Sequence, residues 1–226
     1  MKFFSVIAVA ALLVAVSCAG SPPQARFQDM VADMGPVKAG TVNVVLDKSL
    51  GLGLATVEAE VVFHPRLNAV SLEFRHELTT YRQFWDPAAR RQFVLAVGMY
   101  GGDFTSRSLV NRYRQTRSVY GKVTGRMEWQ TIRFTTTYVS DATIEIGYRF
   151  RKNSPFLATF SRFSLSENDR NSGGRASGDS SLSVYFTRAQ AAELAGLFDQ
   201  EFLLSLIDPS GIEVGPEPET WDEYAD

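Results

Sequence analysis

Between Thr41 and Phe186 the apolar residues of this chain recur at every second position, and that period leaves little freedom of fold. Val42, Val44 and Leu46 alternate with Thr41, Asn43 and Val45. Val57, Ala59, Val61 and Phe63 oppose Glu58 and Glu60, and Val70, Leu72 and Phe74 oppose Ser71, Glu73 and Arg75. Successive side chains of a strand point to opposite faces, so the pattern predicts antiparallel strands with one face buried. His64-Pro65-Arg66 reads as a turn. Gly51-Leu52-Gly53 is half a dinucleotide fingerprint, but it leads into a strand where the fingerprint must open a helix, so it reads as a hairpin loop. Residues 79–85 form a weaker strand or a connector.

The period then changes. Asp86 is a good helix N-cap, and Pro87 fits the first helical position because its missing N–H had no partner there. Ala89, Phe93, Ala96, Val97, Tyr100 and Phe104 follow at helical spacing. Gly98, Gly101 and Gly102 weaken the helix, each by up to about 1 kcal/mol relative to alanine. From Val119 the strand period returns in five stretches: 119–129, 132–138, 144–150, 156–165 and 182–186. Ser140-Asp141 reads as a tight turn between the second and third. Phe156–Leu165 is apolar on both faces and predicts a strand covered on both sides. Residues 166–180 contain no apolar side chain larger than alanine and read as a long loop. Thr187 and Gln190 match a capping box, and Ala191, Leu194, Ala195, Phe198, Phe202 and Leu206 carry a closing helix to about Leu206. The class is α+β, an antiparallel β-meander of about eight strands with two packed helices.

The two ends differ from this body. No residue from Phe3 to Ala19 is charged, Lys2 precedes the run, and GSPPQ follows it without a stop-transfer cluster. A membrane-spanning helix needs roughly 20 apolar residues, so a removed export signal over 1–17 fits better than a span. Ala15-Val16-Ser17-Cys18 resembles a lipobox, departing from the commonest pattern at Ala15, and relaxed lipoboxes of this kind are similar to those of spirochaete lipoproteins. The resemblance implies that Cys18 is acylated and becomes the first residue. Ser17-Cys18-Ala19 is also a small-x-small cleavage site, which would discard the cysteine. Cys18 is the one cysteine of the chain, so it cannot close an internal disulfide, and a lone thiol is a liability in an oxidising exported setting. Residues 18–40 read as a lipidated tether with a short helix at Arg26–Met34, 41–207 as a single domain, and 208–226 as an acidic disordered tail.

Charge excludes one class of partner. Asp208 to Asp226 carries seven acids and no Lys or Arg, which leaves 22 basic against 18 acidic residues over 18–207. A body near +4 is not a nucleic-acid binder by charge, though it mildly favours anionic lipid head groups. Between Asp103 and Glu128 there is no acid, but there are Arg107, Arg112, Arg114, Arg117, Lys122 and Arg126, interleaved with Tyr113 and Tyr120. These six residues are the candidate anion or lipid-headgroup patch.

Catalytic patterns are thin. Gly178-Asp179-Ser180 resembles the nucleophile block of the GDSL hydrolases, but that family places it early and follows it with a histidine, whereas here it sits late and no histidine follows Ser180. The two histidines, His64 and His76, cannot compose a zinc site without further ligands. His76 is in register with Val70, Leu72 and Phe74, which predicts a structural residue at a strand end. Asn168, Asp169 and Asn171 do not make a calcium loop, and Glu58 and Glu60 read as a solvated strand face. The expectation is a non-enzymatic envelope lipoprotein, a binding or scaffold module for a hydrophobic ligand or an envelope partner, with no cofactor or metal and no nucleic acid. The alternative is an envelope hydrolase acting on lipid or glycan.

Overall fold

The computed structural model describes residues 31, 34–48, 53–111, 118–132, 137–164 and 179–207. The chain divides into two compact units at Gly35. Of the first, Val31 is helical and accepts the Met34 N–H at 3.1 Å.

The second unit is organised around eight antiparallel strands that close into a barrel in chain order. They are β1 (Val37–Asp47), β2 (Leu54–His64), β3 (Ala69–His76), β4 (Thr79–Trp85), β5 (Ser118–Thr131), β6 (Tyr138–Arg151), β7 (Ser154–Ser164) and β8 (Asp179–Phe186). Three helices accompany them: α1 (Pro87–Thr105), α2 (Arg188–Leu197) and α3 (Gln200–Ser205). The α+β class and a total of eight strands are as expected, and the meander closes on itself. The expected strand at 132–138 is not among the eight: β5 ends at Thr131, Ile132 lies in a turn, 133–136 fall outside the described residues, and Tyr138 opens β6.

Some boundaries differ from expectation, each for a local reason. β1 begins at Val37 instead of Thr41, because Val37 and Lys38 already pair with Phe63 and Val62. Residues 79–85 are a full strand whose Gln83 and Trp85 are completely buried. Ser140 and Asp141 lie inside β6, not in a turn; they read as one because Ser140 is a polar residue on the lumen face near the strand's exposed end. The closing helix breaks at Phe198, whose ring is buried, and Asp199 caps a new start by accepting the Phe202 N–H at 2.9 Å. Both predicted N-termini hold. Asp86 accepts the Ala89 N–H at 2.7 Å, and Thr187 and Gln190 bond reciprocally at 2.8 and 3.3 Å.

The tight β6–β7 hairpin needs two residues at positive φ, and Lys152 (48°) and Asn153 (65°) supply them. Closure is weaker at the seam, where the ladder between β1 and β8 consists of Val45↔Tyr185 and Leu46↔Val184. Outside it, Arg151 and the Tyr185 hydroxyl both donate to Asp47, the latter at 2.8 Å. Val45, Ala158, Phe160 and Tyr185 pack together there, which accounts for the doubly apolar pattern of β7.

Gly125 shows how tightly the barrel is wound. A Cβ at this position would lie 2.8 Å from both the Phe84 carbonyl oxygen and the Ile144 side chain. Gly125→Ala should therefore destabilise the fold by about 1–3 kcal/mol in urea unfolding. Gly121→Ala, whose Cβ would meet the Gln92 side chain from Cγ outward and no backbone atom, should cost less, because a flexible side chain can turn away.

Candidate functional site

The pairing register sorts every strand residue to the lumen or the outside. Val61, Leu72, Gln83 and Met127 are direct neighbours around β2 to β5, and all four are completely buried. They define the lumen face. One end of the lumen is covered by helices. Phe93 of α1 lies 5.5 Å from Trp85, 5.7 Å from Phe186 and 5.3 Å from Phe198, ring centre to ring centre.

At the other end the lumen face finishes in aromatic residues. Phe74, Tyr81, Trp129 and Tyr138 follow one another around β3 to β6 in direct register. Trp129 stacks on Tyr138 (5.7 Å, 22°) and touches Phe163 of β7 at 4.9 Å. Trp129 is 8% exposed and Phe163 5%, while Tyr81 and Tyr138 are half-buried. Burial pushes the Tyr81 phenol above its ordinary value. Beside this rim stand the exposed Leu78 and Ile132, joined by the Ile132 N–H to the Leu78 carbonyl at 2.8 Å. Alternation placed Phe74, Trp129, Tyr138 and Phe163 on a face, but nothing local in the sequence placed them, or Tyr81, at a common mouth.

Deeper in the lumen the Gln83 amide donates to Ser161 Oγ at 2.8 Å, joining β4 to β7 across the interior. Among the described residues, Gln83 Oε1, Trp85 Nε1 and Thr159 Oγ1 are buried without a hydrogen-bond partner. Polar residues at these inward positions interrupt the apolar alternation, and that interruption was the signal available in the sequence.

The outer face carries a string of charge. Arg82 of β4 donates to both oxygens of Glu73 at 2.6 and 3.0 Å and to Glu128 at 3.1 Å, and Arg126 also pairs with Glu128. Ser71 donates to Glu73 at 2.8 Å and lies 2.8 Å from His64 Nε2. Burial holds the His64 imidazole below its ordinary range, and the bonds to Glu73 hold the Arg82 guanidinium above its own. A serine between a histidine and a carboxylate invites comparison with a nucleophile, but Ser71 is completely buried and its hydroxyl proton points to Glu73. It presents no oxygen to a substrate.

Of the predicted patch, Arg107, Lys122 and Arg126 are described and exposed. Arg107 sits in the turn after α1 at φ 57°. Lys122 and Arg126 line an outer groove of about 840 Å³ with Arg162, Phe84, Asp141 and Glu145. Glu145 stands opposite Lys122 and Asp141 opposite Arg126 in the β5–β6 register, so acids from the next strand face the basic run. Arg112, Arg114 and Arg117, like Cys18 with the signal and most of the tether, Asn168, Asp169, Asn171, Gly178 and the acidic tail, lie outside the described residues. Ser180 is the second residue of β8 and stands opposite Phe163. His76 ends β3 half-buried, and Glu58 and Glu60 are exposed, Glu60 pairing with Lys38. Among the described residues no cluster could hold a metal ion, and no helix is long and apolar enough to cross a membrane.

Residues 36–205 match the model of a family described as an uncharacterised Treponema protein. The chain belongs to that family. The match runs from the residue before β1 to the last residue of α3, so the family is defined by the whole barrel with its helices. No curated protein and no solved structure matches the chain.

Proposed function

We propose that this protein is a non-enzymatic binding module of the bacterial cell envelope, tethered to the inner or outer membrane through acylated Cys18, that holds a small apolar or amphipathic ligand at the mouth of its barrel. The observation that carries the reading is the asymmetry of the lumen: helices cover one end, and Phe74, Tyr81, Trp129, Tyr138 and Phe163 rim the other. An eight-stranded barrel is just wide enough to be filled by side chains or to hold one small ligand, and barrel mouths are a usual place for such sites. Aromatic rings bring large contact area, and the two tyrosines add a polar edge that suits an amphiphile.

The tether follows from the export signal, the lipobox resemblance and the lone cysteine. Two or three acyl chains anchor stably, since each buried methylene contributes about 0.8 kcal/mol and a single chain is marginal. Held at a bilayer, Arg107, Lys122 and Arg126 would add attraction to anionic head groups, at up to about 1 kcal/mol for each cation near the surface.

The test is mass spectrometry of the full chain expressed in a bacterium with radiolabelled palmitate. The expected result is label lost in Cys18→Ala and a stoichiometric lipid that leaves on denaturation. Unchanged label in the variant removes the anchor. A protein that carries no lipid and binds no apolar fluorophore removes the mouth.

A further inference from the structure

We propose that the lumen beneath the aromatic rim seats a neutral hydrogen-bonding group, the hydroxyl or amide end of an amphipathic ligand, between Gln83, Trp85 and Thr159. The inference deepens the mouth-binding reading and rests on it. Gln83 and Trp85 stand two residues apart on the lumen face of β4, and Thr159 stands two residues from Ser161 on the lumen face of β7. The Gln83–Ser161 hydrogen bond, 2.8 Å long, holds the two strands opposite each other across the interior.

Three polar atoms on the lumen faces of β4 and β7, Gln83 Oε1, Trp85 Nε1 and Thr159 Oγ1, have no hydrogen-bond partner among the described residues, and the residues that carry them are completely buried. Buried polar groups are almost always paired, because an unpaired one forfeits its bonds to water. Apolar side chains of similar shape at these positions would carry no such cost. The three atoms are also complementary to one kind of guest. The amide oxygen only accepts, the indole N–H only donates, and the threonine hydroxyl does both. A hydroxyl or amide can donate to the first while accepting from the others. A carboxylate cannot donate to Gln83 Oε1. Among the described residues, moreover, no Lys, Arg, Asp or Glu falls on the lumen face in the pairing register, so a charged head would be buried there without a counter-ion. The ligand class is a neutral amphiphile that enters through the aromatic mouth with its polar end inward.

The experiment titrates the full chain with 1-decanol and with decanoate at pH 8, following tryptophan fluorescence, and uses N-phenyl-1-naphthylamine as an apolar probe of the mouth. Decanol is expected to bind at least about tenfold more tightly than decanoate. Thr159→Val, close to isosteric, and Gln83→Leu should each weaken decanol by about tenfold, the size of one hydrogen bond to a buried group. Thr159→Ser should retain it, and naphthylamine binding should be unchanged in all three. Equal binding of decanol and decanoate, or decanol affinity indifferent to both substitutions, overturns the polar seat while retained naphthylamine binding leaves the mouth standing. Loss of all three ligands in the unmodified chain overturns both. Ordered water alone on the three atoms in a crystal grown with decanol also overturns the seat.

Discussion

Arg90→Ala should cost about 3 kcal/mol or more of unfolding free energy, measured by urea titration, although Arg90 is far from the barrel mouth. The side chain is 2% exposed and belongs to α1. Its guanidinium donates to the Phe198 carbonyl at 3.1 Å, the Asn68 carbonyl at 3.2 Å, Asn68 Oδ1 at 3.1 Å and Gln200 Oε1 at 2.8 Å. One residue thus joins α1 to the β2–β3 turn and to the break between α2 and α3. Burial pulls its pKa down to about 10, which leaves it charged at neutral pH. Hydrogen bonds from a charged donor contribute about 1.5–3 kcal/mol each before non-additivity, and the alanine variant removes four of them, leaving the Phe198 carbonyl buried and the Asn68 and Gln200 acceptors partly buried without their donor. Asn68 holds φ at 45° in a turn closed by its own N–H to the Pro65 carbonyl at 3.0 Å, which presents its carbonyl and side chain to the arginine. Arg90→Lys should recover only part of the loss, because an ammonium cannot reproduce the planar fork. A loss below about 1 kcal/mol in the alanine variant would mean that α1 is held by packing alone.

Phe93→Ala should cost a comparable amount, about 3–5 kcal/mol in the same titration, by a different mechanism. Phe93 is completely buried and makes edge contacts with Trp85, Phe186 and Phe198, one from β4, one from β8 and one from the turn after α2. It is the plug of the covered end of the barrel. Aromatic pairs contribute about 0.5–1.5 kcal/mol beyond their buried area, and a close-packed interior relaxes only partly into the cavity left by alanine. Phe93→Leu should restore more than half of the loss. The substitution also separates the two ends of the lumen. If the ligand sits at the mouth, folded Phe93→Leu protein should bind the naphthylamine probe as the unmodified chain does.

The contrast between these residues marks how much of the molecule could be read locally. Phe93 announced itself, because it falls on the apolar stripe that begins at the Asp86 cap, and both the cap and the stripe are properties of one helix. Arg90 lies on the same helix, and nothing in the sequence around it marks it. Its partners at 68, 198 and 200 lie far away along the chain and meet it only when the barrel closes. The basic run from Arg107 to Arg126 behaves likewise. The sequence between Asp103 and Glu128 contains no acid, yet Asp141 and Glu145 face Arg126 and Lys122 from β6, since the register of a sheet pairs residues that no local window contains.

Most of the strands and the faces of their residues, the caps of the first two helices and the α+β class were settled by the order of residues alone; the strand at 79–85 and the unbroken run of β6 through Ser140 and Asp141 were not. Period-two alternation is a local consequence of backbone geometry and needs no partner to be visible. Closure of the sheet, the aromatic mouth and the polar layer of Gln83, Thr159 and Ser161 were settled only by the tertiary structure. Whether eight strands remain an open sheet or join their edges depends on tilt and stagger accumulated over all of them. Alternation says which side of a strand is covered, and it says nothing about what lies across the lumen from it.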